Sequence, residues 1–205
     1  MNMLVLLAAG ALTLPRTAAA ATYYVTPDGS DSAAGTTADA AWMSLAAASK
    51  RLGDGDTLLL QRGGQWLDEW LNTSASGLTV GAYGPSTGPT PLIQHGRPLG
   101  DAPGSHACLN FLSADGLTVS DIHLSGCAGG LHVSGPPRGG PSAGNATDVL
   151  IQRLFFQDIR TPFLLYNPPN PRWASAVNLA GSFKNFTLRN CVAVRIDVFF
   201  RAISY

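Results

Sequence analysis

"DGLTVSDIHLSG", Asp115 to Gly126, alternates apolar and polar residues, breaks at Ser120-Asp121, and then alternates again. It reads as two very short strands with a corner between them. The same pattern returns in "DVLIQRLFFQD" from Asp148 and in "NFTLRNCVAVR" from Asn185. With Gly116, Asp148 and Asn185 placed at equivalent positions, apolar residues coincide in columns. Leu117 stands with Val149 and Phe186, and Val119 with Ile151 and Leu188. Past the corner, Ile122 stands with Leu154 and Cys191, and Leu124 with Phe156 and Ala193. "GGLHVS", "PFLLY" and "VFFRAIS" supply a third short strand, with Leu131, Phe163 and Phe200 in one column. A weaker earlier copy starts at "SGLTVGAYG", Ser76 to Gly84, and runs through "TPLIQHG" to "ACLNFL".

Self-similarity of this kind, here about four turns of one pattern, marks a solenoid. Each strand makes one side of a rung and pairs with the rungs above and below. Inward columns must therefore be apolar in every rung, while outward positions are free to be polar. A β-sandwich also has short alternating strands, but it does not require columns that agree from unit to unit. Leucine-rich repeats need a shorter period and an Asn-Leu spacing that is missing here. The corner after the first strand favours residues that tolerate a left-handed backbone, which suits Asn190 and suits Arg153 poorly.

Composition fits this reading. The 205 residues include 23 Gly and 14 Pro, and only 13% are charged, a mix that favours turns over salt-bridged helical faces. The 13 basic and 13 acidic residues cancel, which gives no electrostatic reason to expect nucleic acid as the partner. "MLVLLAAGALTL" is an apolar run of signal-peptide length, and "TAAAAT" after it fits small-residue cleavage before Thr22. Residues 1–21 are expected to be removed on secretion, leaving no membrane segment. The run is short for a comfortable span. Of three cysteines, Cys108, Cys127 and Cys191, at least one stays unpaired, and no pair has metal-finger spacing. Buried small hydrophobes are a better reading than a ligand cluster, and neither metal nor cofactor is expected.

Between the leader and the repeats, Tyr23-Tyr24-Val25 reads as a strand. Asp39 is placed to cap a helix over "AAWMSLAAASKRL" with Trp42, Leu45, Ser49 and Leu52 on one face, and Thr57 to Leu60 reads as a further strand.

"YYVTPDGSDSAAGTTADAAWMSLAAA", "GDTLLLQRGGQW" and "GLTVGAYG" resemble the N-terminal part of secreted right-handed parallel β-helix proteins of the pectin-lyase-like superfamily. The resemblance runs from Thr22 to Tyr205 and is strongest up to Gly84. It implies an all-β, right-handed parallel β-helix of about four rungs with an N-terminal strand and capping helix. Residues 22–75 would form the cap and 76–205 the rungs. It also implies an extracellular, acidic polysaccharide as partner, acted on in lyase-like or hydrolase-like fashion or only bound. A non-catalytic recognition module on a cell surface or matrix is the alternative, because one fold carries many functions. The family has many more rungs, and "VFFRAISY" ends within a strand, so a fragment truncated at its C-terminus and lacking activity is a further expectation.

In such solenoids substrate lies along one sheet between loops. The third strands put His132 and Ser134 outward if Leu131 and Val133 face in, with Leu164, Tyr166 and Arg201 outward in later rungs. The long loops carry Arg138, Arg172 and Trp173. A Trp beside an Arg suits sugar stacking and carboxylate binding; the alternative is that Trp173 folds back over the sheet as loop packing. The candidate substrate-binding residues are thus His132, Arg172, Trp173 and Arg201. A uronic-acid lyase needs a cation, a base and an acid, and Arg201 and His132 could fill two of these roles. A hydrolase needs facing carboxylates, and Asp121, Asp158 and Asp197 form no recognisable pair; solvated turn residues are the simpler reading. Asp28 and Asp31 are expected in Asx turns rather than at calcium.

Overall fold

The structure, a computed structural model, describes residues 19–96, 107–135, 146–159 and 175–203. Among the described residues, strand β1 (Thr22–Val25) precedes five rungs of three strands. These are β2 (Thr57–Gln61), β3 (Gln65–Leu67) and β4 (Leu71–Thr73), then β5 (Thr79–Tyr83), β6 (Leu92–Gln94) and β7 (Ala107–Phe111). Next come β8 (Thr118–Ser120), β9 (His123–Ser125) and β10 (Gly129–Ser134), then β11 (Ala146–Gln152), β12 (Phe155–Gln157) and β13 (Ser175–Ala180). The last rung is β14 (Phe183–Arg189), β15 (Val192–Val194) and β16 (Val198–Ile203). First strands stack into one sheet with β1 at its edge, second strands into another and third strands into a third, and the ladders are parallel. This is a parallel β-helix.

The aligned columns are ladder partners. Leu58, Val80, Val119, Ile151 and Leu188 form one inward column of the first sheet. Trp66, Ile93, Leu124, Phe156 and Ala193 form that of the second sheet. In the third, Leu71, Leu109, Leu131, Val177 and Phe200 line up. Through the first four rungs these side chains are almost wholly buried. Each such side chain adds roughly 1.5–3 kcal/mol of apolar burial. In the last rung Phe200 is 42% exposed, because no later strand among the described residues lies over it.

One expectation is corrected here. The column of Leu131 and Phe200 runs through Val177, not Phe163; the third strand of that rung is "SAVNLA". "PFLLY", with Leu164 and Tyr166, lies outside the described residues, as do Arg138, Arg172 and Trp173. Within residues 22–75, β2, β3 and β4 pair with the strands of the next rung.

Single left-handed residues turn the corners. Gly116 has φ 65° just before β8, Asp148 and Asn185 have 55° and 58° at the matching places inside β11 and β14, and Asp121, Arg153 and Asn190 have 61°, 52° and 54° after these strands. Asp68, Gly126, Asp158 and Arg195 repeat this between the second and third sheets. Arg153 thus takes the conformation it suits poorly. Its guanidinium grips Asp121 one rung below through two hydrogen bonds of 2.8 and 2.7 Å.

The capping helix is shorter than its periodicity suggests. Helix α1 spans Leu45–Arg51, and its N-cap is Ser44, whose Oγ accepts from Ala47 N–H. Asp39 instead sits in a turn of 3-10 helix capped by Thr37. Trp42 precedes α1, bridges to Val25, and stacks on Tyr23 with ring centroids 4.6 Å apart. Gly35 has φ 77°, and a Cβ there would lie 2.3 Å from the Trp42 ring, so backbone and packing both require glycine. Asp31 anchors this cap by accepting from the N–H groups of Met43 and Ser44 and from Ser44 Oγ. Burial alone would raise its pKa, but these hydrogen bonds outweigh it and hold the carboxyl below its ordinary value.

Candidate functional site: the outer face of the third sheet

The middle residue of each third strand is polar. Asn72, Asn110, His132, Asn178 and Arg201 are consecutive ladder partners in β4, β7, β10, β13 and β16. In the first four rungs their neighbours on either side, such as Leu131 and Val133, are buried, so alternation sends the polar column outward, and Arg201 follows it by ladder register. Ladder spacing places successive members about 4.8 Å apart. Asn110 Nδ2 donates to Asn72 Oδ1 at 2.9 Å.

Exposure varies along the column. Asn72 is open to solvent and Arg201 half-buried, whereas His132 and Asn178 are enclosed at 8% and 4%. His132 Nε2 lies 2.8 Å from Ser134 Oγ. Burial pushes the imidazole below its ordinary pKa, so His132 is a neutral hydrogen-bonding group near neutral pH and not a cation. His132 and Arg201 share this face but stand two rungs apart, with Asn178 between them. That spacing keeps the two side chains from meeting on one reacting atom.

At the column's N-terminal end a cleft of about 410 Å³ opens between α1 and β4, lined by Ser49, Lys50, Asp68, Glu69, Trp70 and Asn72, with Ala46. The corner at Asp68, with φ 56°, turns Glu69 and Trp70 into it. Glu69 Oε2 accepts from Leu45 N–H at 2.6 Å, and Ser49 Oγ accepts from Asn72 N–H at 3.0 Å, so helix and strand hold the walls together. Burial raises the Glu69 pKa, and the nearby Asp31 charge adds to this against the opposing hydrogen bonds of Leu45 and Ala46.

The carboxylates read as turn residues are tied into corners. Asp121 takes Arg153, and Asp158 takes Arg195 at 2.6 and 2.7 Å. Cys108 and Cys127 form a disulfide with Cα atoms 5.8 Å apart, and Cys191 is free. His95 adjoins the pair within 4.8 Å. Bridged sulfurs offer no thiolate, so this cluster does not fit a metal ion.

Sequence reasoning found two members of the third-sheet column by register, His132 and Arg201. It missed Asn72, Asn110, Asn178 and the cleft. A signal was present in the recurrent apolar-Asn pairs "LNT", "LNF" and "VNL", each within a third strand.

No protein-family model matches the sequence, and no curated protein matches it. Among solved structures, native GH136 lacto-N-biosidase from Eubacterium ramulus is similar with a TM-score of 0.58 and 22% identity, over 84% of this chain and 30% of that one. Its selenomethionine derivative gives 0.43 at 21% identity over 90% and 30% of the two chains, and a rhamnogalacturonan lyase 0.32 at 16% over 78% and 36%. The first similarity carries the fold. The chain spans about a third of the length of these proteins.

Proposed function

We propose that this chain is part of a secreted carbohydrate-active β-helix that holds an extracellular polysaccharide along the outer face of its third sheet. The observation that carries this reading is the unbroken polar column Asn72, Asn110, His132, Asn178 and Arg201 on an otherwise apolar strand pattern. The accessible amides of Asn72 and Asn110 and the guanidinium of Arg201, held in fixed register by the enclosed His132 and Asn178 between them, suit the hydroxyls of a sugar chain. One guanidinium among four uncharged groups supports binding of a sugar backbone more than capture of a dense polyanion. The two-rung gap between His132 and Arg201 favours binding over single-centre proton transfer within these rungs. A solved structure that shares the fold is a lacto-N-biosidase, and that likeness in architecture is consistent with this reading but does not itself carry it.

Affinity electrophoresis of the full chain through gels holding neutral or uronate polysaccharides tests the proposal. Asn110→Leu and Arg201→Leu should each abolish retardation without lowering the unfolding temperature. Retardation unchanged in both variants, or seen with no polysaccharide, overturns it.

A further inference from the structure

The cleft between α1 and β4 is a built pocket whose chemistry differs from that of the column it adjoins. Trp42 and Trp66 are core residues at 2% exposure, whereas Trp70 is 38% exposed on the cleft wall. Its indole stacks over His95 with centroids 6.0 Å apart and rings inclined by 24°, which fixes the plane. A fixed, part-exposed indole is a large amphipathic surface of low conformational cost. Around it stand one ammonium, Lys50, and two carboxyls, Asp68 and Glu69. Glu69 is fixed by Leu45 N–H, and Asp68 Oδ1 accepts from Gly96 N–H at 3.0 Å, so both acids belong to the folded frame and not to a free loop. Asn72 belongs to both the cleft wall and the third-sheet column, so the two surfaces are continuous.

We infer that this cleft is a terminal sugar subsite for a neutral pyranose, which seats its apolar face on Trp70 and gives hydroxyl hydrogen bonds to Asp68 and Glu69. The inference rests on the proposed carbohydrate reading of the third sheet and narrows its substrate. Carboxylates accept hydrogen bonds from sugar hydroxyls and repel a uronate carboxylate, while a single lysine does not outweigh two acids. The sugar unit at this end is therefore uncharged, whatever units lie further along the column near Arg201. A volume of about 410 Å³ falls within the range of small-molecule sites and leaves room for a pyranose.

The full chain is probed on an array of neutral and uronate-ended oligosaccharides, with Trp70→Ala, Trp70→Phe and Arg201→Leu in parallel. The expected result is binding of neutral-ended glycans, weakened about tenfold or more by Trp70→Ala as for a buried aromatic anchor and largely kept by Trp70→Phe. Glycan binding that Arg201→Leu removes and Trp70→Ala leaves within about twofold overturns the cleft while sparing the third-sheet column. Preference for uronate-ended glycans also overturns it. Absence of binding to every glycan overturns both readings. Urea unfolding of each variant separates a lost subsite from a lost fold.

Discussion

Arg153 holds a left-handed backbone, with φ 52°, at a corner where its neighbours in the column are Asp121 and Asn190. A non-glycine residue in that conformation costs roughly 1–2 kcal/mol. Arg153→Gly removes this cost but adds roughly 0.5–1 kcal/mol of unfolded-chain entropy, leaving a gain of about 0.5–1 kcal/mol. The variant also loses the bidentate pair with Asp121, whose partners are 49% and 22% exposed. Pairs this open to solvent contribute about 0.2–1 kcal/mol. The two effects nearly cancel, so Arg153→Gly should change stability by less than about 0.5 kcal/mol. Arg153→Val keeps the strained conformation with a β-branched side chain and also loses the pair, so it should cost about 1–2 kcal/mol. With a urea slope of roughly 2 kcal/mol per molar, the two midpoints should differ by about 0.7 M. Asp121→Ala in the wild-type and Arg153→Gly backgrounds completes a cycle whose coupling should not exceed about 1 kcal/mol. If Gly and Val destabilise equally, the corner is not held in the left-handed region. If the coupling is several kcal/mol, the pair is not screened as its exposure requires.

Two other expectations follow from the interior. The His132 pKa is lowered in the folded state, so its contribution to stability is present above the ordinary value of 6.5 and is lost as pH falls through the lower folded value. Unfolding midpoints measured from about pH 7.5 to about pH 5 should therefore drop. His132→Asn, which matches the ladder partners Asn110 and Asn178, should flatten that drop; an unchanged profile refutes the burial argument. The disulfide between Cys108 and Cys127 closes a separation of 19 residues, for which chain entropy gives about 3 kcal/mol. Cys127→Ala should show a loss of that size in denaturant titration, with Cys191 left as the only alkylated thiol in the folded wild type.

Much of the fold is legible in the chain because a solenoid writes its contacts locally. Val119, Ile151 and Leu188 occupy equal places in their repeats, and the ladder pairs them for that reason. Period-2 alternation likewise places His132 and Arg201 on the outer face, since register alone determines the face of a strand. The left-handed corner at Asn190 follows from the residue type. The error at Phe163 has an equally physical origin. The third strand of that rung is separated from the second by a long segment, and within it both "PFLLY" and "SAVNLA" are short apolar stretches that alternation cannot rank. Only the pairing of Val177 with Leu131 and Phe200 selects the second.

The helix shows the same division. Helical spacing joins Trp42 to Leu45, but Trp42 is claimed by Val25, Tyr23 and the carbonyl of Ala33, so the helix starts three residues later at a serine cap. Sequence alone thus determined the repeat, its inward columns and the side of the sheet on which polar residues stand, because those depend on neighbours one or two positions away. Tertiary structure decided which segment fills each rung, the partner that lets Arg153 hold its corner, and the meeting of Lys50, Glu69 and Trp70 in one cleft. Those depend on how α1 docks against β4, a contact between separate elements that no local periodicity encodes.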